Sequence, residues 1–116
     1  MITKLKLDIV KNIIYGGTYM LTHIVLIRLK DKSEESMQKM KEVLLGLKGK
    51  IPYLRFIEVG TDILHSERSY DVGLYTKFDT LKDMEAYQVH PEHLKVLEYI
   101  KVAKESSVAI DYESSI

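Results

Sequence analysis

Two of the chain's four histidines, one of its two prolines and a tyrosine fall within seven residues, "YQVHPEH", Tyr87 to His93. A neutral imidazole accepts a proton near neutral pH, and a phenol can donate one to a carbonyl or enolate oxygen. Tyr87 and His93 are therefore a candidate acid–base pair if one pocket holds both. Pro91 suits the first position of a helix, where its missing N–H is no loss, and it restrains His90 to the extended backbone of an N-cap. His93 then sits in the first turn of the new helix, in line with Val96, Leu97 and Ile100. The positive end of that helix disfavours an imidazolium, so His93 is expected to be neutral. Tyr87 shares the face marked by Leu81 and Met84 in the preceding helix. His23 lies on the apolar face of a strand and could orient His93 or a substrate. The candidate catalytic set is thus His93 as base, Tyr87 as donor and His23 as orienter. The bland alternative is that these rings fill core space and satisfy backbone groups.

A metal centre is the second chemistry to weigh. His90 and His93 are three residues apart, and zinc accepts nitrogen ligands. The proline corner would turn the two rings apart, and no cysteine is present to help. A third ligand would have to come from His23, His65 or Glu92. No metal site is expected, and His65 in "ILHSERS" reads as an exposed loop residue. Nothing resembles a phosphate-binding loop, a dinucleotide fingerprint or a nucleophile elbow, so no organic cofactor is expected either.

The elements that must position these residues follow from periodicity. Residues 20–30, "MLTHIVLIRLK", form a strand with Leu21, His23, Val25, Ile27 and Leu29 on one face. Its other face carries Ile24 and Leu26 at its centre, so both faces need cover. Residues 33–48 form a helix, capped by Asp31 or Ser33, with Met37, Met40, Val43, Leu44 and Leu47 as its apolar stripe. Strands are expected at 54–60, 70–78 and 106–113, and helices at 80–88 and 91–103. Thr80 with Asp83 resembles a capping box. The order is β-α-β-β-α-β, an α+β ferredoxin-like protomer with a four-stranded antiparallel sheet and helices on one face. The open face, with Ile24, Leu26 and some of Val72, Leu74 and Tyr75, is expected to be covered by a second copy.

Composition bounds the rest. At 116 residues, 46% apolar and 29% charged, the chain is one globular domain. With 17 basic and 17 acidic residues and no basic stripe, nucleic acid is not an expected partner. No apolar run approaches the roughly 20 residues that span a bilayer, and the lack of cysteine suits a reducing cytoplasm. Residues 1–19 stand apart as an N-terminal extension to the domain at 20–116. Leu5, Leu7 and Ile9 alternate like a strand, while Ile9 and Ile13 suit a helix turn. Gly16-Gly17-Thr18 follows, and Met20 is a candidate natural start. The other reading is an arm that packs on the domain or on a partner.

The segments "LTHIVLIRLKD", "YDVGLYTKFDTLKDMEAYQVHPEH" and "VAIDYE" resemble a stress-responsive α/β-barrel (Dabb) domain, over about Met20 to Glu113. The resemblance implies a homodimer that joins sheet to sheet into a barrel with its helices outside. In one plant member, a cyclase that closes a polyketide chain by aldol condensation without metal or organic cofactor, the catalytic histidine and tyrosine match His93 and Tyr87. A strand histidine of that pocket matches His23, whereas another falls near Val72 in this sequence. The functional expectation is a dimer with a small apolar-ligand pocket between helices and sheet. The alternatives are a cofactor-independent lyase or cyclase acting on an enolisable carbonyl compound, and a dimerisation module without ligand.

Overall fold

The computed structural model describes residues 3–15 and 19–115, with side chains for 3–10 and 19–115. The Gly16-Gly17-Thr18 stretch lies outside them. The elements are α1 (Lys4–Tyr15), β1 (Tyr19–Leu29), α2 (Glu34–Leu45), β2 (Phe56–Thr61), β3 (Val72–Phe78), α3 (Leu81–Gln88), α4 (Pro91–Ala103) and β4 (Lys104–Ser115). From β1 onward this is the expected β-α-β-β-α-β order, with the second helical segment in two pieces. The strands form one antiparallel sheet in the order β2-β3-β1-β4. The N-terminal ambiguity resolves to a helix, on which Leu5 and Ile9 remain exposed.

β1 is a central strand, hydrogen-bonded along both edges, and its alternation decides the two layers. Leu21, His23, Ile27 and Leu29 are buried beneath the helices. Their row continues into β3 through Val72, Leu74, Thr76 and Phe78, all buried. Val72 and Leu74 therefore leave the open face, and Tyr75 alone of the three candidates belongs to it. There Ile24 pairs with Tyr75 and Ile110, and Leu26 with Gly73 and Val108.

α2 packs its buried Met37, Met40 and Leu44 against this row. Each fully buried side chain of that kind contributes about 1.5–3 kcal/mol relative to exposure. Its N-terminus uses both expected caps: Ser33 Oγ accepts from the Ser36 N–H at 3.1 Å, and Asp31 accepts from the Ser33 N–H at 3.0 Å. The helix stops at Leu45, earlier than the apolar stripe suggested. Gly46 caps it, and the buried Leu47 and Ile51 continue the core from a turn.

β3 begins at Val72, two residues later than its alternation suggests, because Asp71 does other work. Its carboxylate accepts from the buried Leu29 N–H at 2.8 Å and from the Lys32 ammonium at 3.1 Å. Its own N–H donates to the Ile27 carbonyl at 2.9 Å. Asp71 thus ties the end of β1 to the 62–71 loop and is itself buried. Lys32 is largely exposed, so the hydrogen bond to Leu29 carries most of the worth. Asp71→Ala should lower unfolding stability by about 1–3 kcal/mol in urea titration, since it leaves a buried N–H without a partner. Asp71→Asn, which keeps an acceptor oxygen, should cost clearly less.

Candidate active site

The corner between α3 and α4 holds the histidines in different jobs. His90 is the N-cap of α4, and its Nδ1 accepts from the Glu92 N–H at 3.1 Å, with Pro91 in the first helical position. His93, one turn in, is buried under the corner. Its Nδ1 donates to the Gln88 carbonyl at 3.0 Å. A carbonyl only accepts, so the proton sits on Nδ1 and Nε2 is left as a base. Burial holds the imidazole below its ordinary pKa. The Gln88 hydrogen bond opposes that shift, and His23 and His90 add to it. His93 is therefore neutral at physiological pH.

Tyr87 lies on the inner face of α3 with Met84, while Leu81 on that stripe is exposed. Its ring is 4.3 Å from the His93 ring and 4.8 Å from that of Phe78, centroid to centroid. Contact on two sides fixes its position. Its hydroxyl is fully buried and has no hydrogen-bond partner among the described residues. Burial pushes its pKa well above the ordinary phenol value, so it stays protonated and can only donate.

His23 enters from the sheet. The β1–β4 register sets it directly opposite Asp111, and its Nδ1 donates to the Asp111 carboxylate. Thr76 Oγ donates to the His23 carbonyl at 3.0 Å and steadies the backbone there. A carboxylate behind an imidazole fixes its tautomer and leaves Nε2 facing away from the acid.

A cavity of about 380 Å³ opens between α4 and the sheet. His23, Val25, Ile27 and Leu74 line it from the sheet, and Gln88, His93, Leu97 and Ile100 from the helical side. Lys104 and Ser107 close one end. Its volume lies within the range of small-molecule sites. Ala109 and Asp111, on the helix-facing row of β4, are exposed, so the helices leave a way in from that edge. The structure thus brings His23 and His93 to one cavity. It places the Tyr87 ring behind His93, outside the lining. His65 lies apart, in the 62–71 loop, near Glu34 and Asp62. Among the described residues no three His, Asp or Glu side chains are grouped to hold a metal.

Sequence reasoning missed Asp111, Lys104 and Ser107. Asp111 carried a signal, a carboxylate between Ile110 and Tyr112 in an apolar strand. Lys104 carried none, because the strand seemed to begin at 106.

The model of the stress responsive A/B barrel domain matches residues 21–114. The chain belongs to the Dabb family. It is 36% identical to a dimeric protein of unknown function and ferredoxin-like fold from Bacteroides fragilis NCTC 9343, with a TM-score of 0.73 over 82% of this chain and 96% of that one. A dimeric ferredoxin-like protein from Thermobifida fusca YX is 26% identical, with a TM-score of 0.72 over 82% and 91% of the two chains. The hydroxynitrile lyase of Passiflora edulis shares the fold at 19% identity, with a TM-score of 0.72 over 83% and 94%. No functionally curated protein matches the sequence. Among the described residues no helix of this Dabb chain is long and apolar enough to cross a membrane.

The depressed pKa of His93 makes a pH prediction whose sign is fixed. Above the ordinary imidazole pKa of about 6.5, folded and unfolded chains both hold it neutral, and it exerts no pH dependence. Below that value the unfolded chain takes up the proton first, so stability falls until the pH passes the lower folded pKa. Denaturant titrations at about pH 7.5 and 5 should show wild type losing more stability on acidification than His93→Gln.

Proposed function

We propose that this Dabb domain binds a small, mainly apolar carbonyl compound in the cavity under α4 and that His93 acts there as a general base. The observation that carries this reading is the meeting of two imidazoles, each with Nδ1 committed to a hydrogen bond, at one reachable apolar cavity. Such a base removes a proton next to a carbonyl without metal or organic cofactor. His23, held by Asp111, orients the substrate or stabilises the developing charge. The Tyr87 hydroxyl supports the same reading. A buried donor without a protein partner is uncommon in native structures, and a ligand or enolate oxygen would satisfy it. An opening between α3 and α4 would have to admit that oxygen. We read residues 20–116 as the functional domain and 1–19 as its extension, in a chain suited to a reducing compartment such as the cytoplasm.

The test uses 2-octanone in deuterium oxide, with exchange of its α-protons followed by NMR. Wild type should exceed the buffer rate, and His93→Gln should lose at least tenfold, within the usual contribution of a positioned base. Tyr87→Phe should lower the rate while holding or raising stability, since it removes an unpartnered buried hydroxyl. Exchange that is indifferent to His93→Gln would sink the catalytic reading.

The same domain is proposed to act as a homodimer through its open sheet face. Leu26, Phe56, Val108, Ile110 and Tyr112 are exposed there together, a contiguous apolar patch of the kind that marks an interaction surface. Two of the similar structures are themselves dimeric. Light scattering should give twice the chain mass for wild type, and the chain mass for the double substitution Leu26→Glu, Ile110→Glu. A wild-type monomer at micromolar concentration would remove the proposal.

A further inference from the structure

We propose that Lys104 makes the cavity selective for a ligand that carries a carboxylate at the end remote from His93. This rests on the reading of the cavity as a ligand site and names the class of compound it takes. β4 runs opposite β1 with His23 facing Asp111, Val25 facing Ala109 and Ile27 facing Ser107. Regular continuation would set Glu105 opposite Leu29. The register instead shifts between Arg28 and Leu29, and Lys104 takes that place. A bulge of this kind re-aims a side chain. Here it exchanges an acid for a base on the helix-facing row, while Glu105 turns away to Lys32.

The consequence is a half-buried lysine in a wall that is otherwise apolar or uncharged at that end. Its one polar contact among the described residues is Ser107 Oγ, at 3.3 Å, and no carboxylate there pairs with it. A lysine ammonium offers three donors, and Ser107 uses one. An anionic oxygen entering the cavity would find the cation and the Ser107 hydroxyl side by side. Charge-assisted hydrogen bonds of that kind are about twice as strong as neutral ones. Four residue steps of about 3.3 Å each lead from His23 to Ile27, opposite Ser107, so about 13 Å of cavity wall lies between the two polar ends. Val25, Ile27, Leu97 and Ile100 cover that interval and suit an aliphatic body. The ligand class is therefore a medium-chain aliphatic carboxylate, with its reacting carbonyl at the histidine end.

The experiment compares octanoate with octanamide, titrated against the full chain by calorimetry, with the His23 and His93 ring resonances followed by NMR to show that the cavity is occupied. Octanoate should bind wild type at least tenfold more tightly than octanamide. Lys104→Met should bring the two to equal affinity, and Lys104→Arg should keep most of the preference. Equal affinities in wild type, with the histidine resonances moving, would overturn the role of Lys104 and leave the cavity a binding site. The same conclusion follows if Lys104→Met keeps the preference, because the anion would then be held by the imidazoles. A lysine whose stem only covers apolar wall would give that equal-affinity result. Failure of both probes to bind or to move the resonances would overturn the ligand site itself.

Discussion

The antiparallel register between β1 and β4 is the constraint on which the rest depends. It puts His23 against Asp111, Ile27 against Ser107 and, through its one irregularity, Leu29 against Lys104. On the opposite face the same pairing aligns Ile24 with Ile110 and Leu26 with Val108. Side chains alternate with a period of two, so a slip of one residue would exchange these rows. The histidine would turn to the open face, and an apolar pair would enter the cavity. The exposed patch and the polar pocket are therefore two readings of one alignment.

The second support is the corner between α3 and α4. Proline at the first position of α4 fixes where the new helix starts, and the His90 side chain takes up one of its free N–H groups. The same turn leaves the Gln88 carbonyl available to His93 Nδ1. Each imidazole near the corner thus has one nitrogen assigned by backbone geometry. That assignment leaves His93 Nε2 as an acceptor, while burial keeps the ring neutral. Tyr87 then backs the ring, clamped in turn by Phe78. The chain of support runs from sheet to helix to imidazole.

Much of this was legible in the sequence because it is local. The alternation of residues 20–30 placed His23 on the helix-facing row, and Pro91 with the 3.6-residue period placed His93 inward. The separation of His90 from His93 by role followed from the same proline. What escaped reading is non-local. Asp111 lies 88 residues from His23, and only the strand register joins them. Asp71 alternates like an outward strand residue, yet its carboxylate is taken by an N–H forty-two residues away. Lys104 reaches the cavity row only through a bulge, and a bulge leaves no mark in a hydrophobic pattern. The N-terminal helix stayed ambiguous because Leu5, Leu7 and Ile9 alternate like a strand while Ile9 and Ile13 suit a helix turn.

Polar groups are costly in so small a core, which makes their distribution informative. The buried polar residues include Thr22, His23, Asp71, Thr76 and His93. Three have their chief polar group occupied within the fold. Thr22 shares a hydrogen bond with Ser114, Asp71 holds the end of β1, and Thr76 Oγ donates to a backbone carbonyl. His23 and His93 are each only half committed, and the Tyr87 hydroxyl beside them is not committed at all. A scaffold serving packing alone would gain stability by replacing such groups with apolar ones of like shape. The unspent capacity of the two imidazoles meets at one cavity. The other recesses differ in kind. One lies on the open sheet face around Ile24, Leu26 and Gly73, where a second copy would seal it. Another, in the groove of Glu34, Glu35, Gln38 and Lys39, is simply a charged surface. Under α4 the two half-committed imidazoles and a cavity coincide, and that coincidence, more than any single residue, supports the proposal.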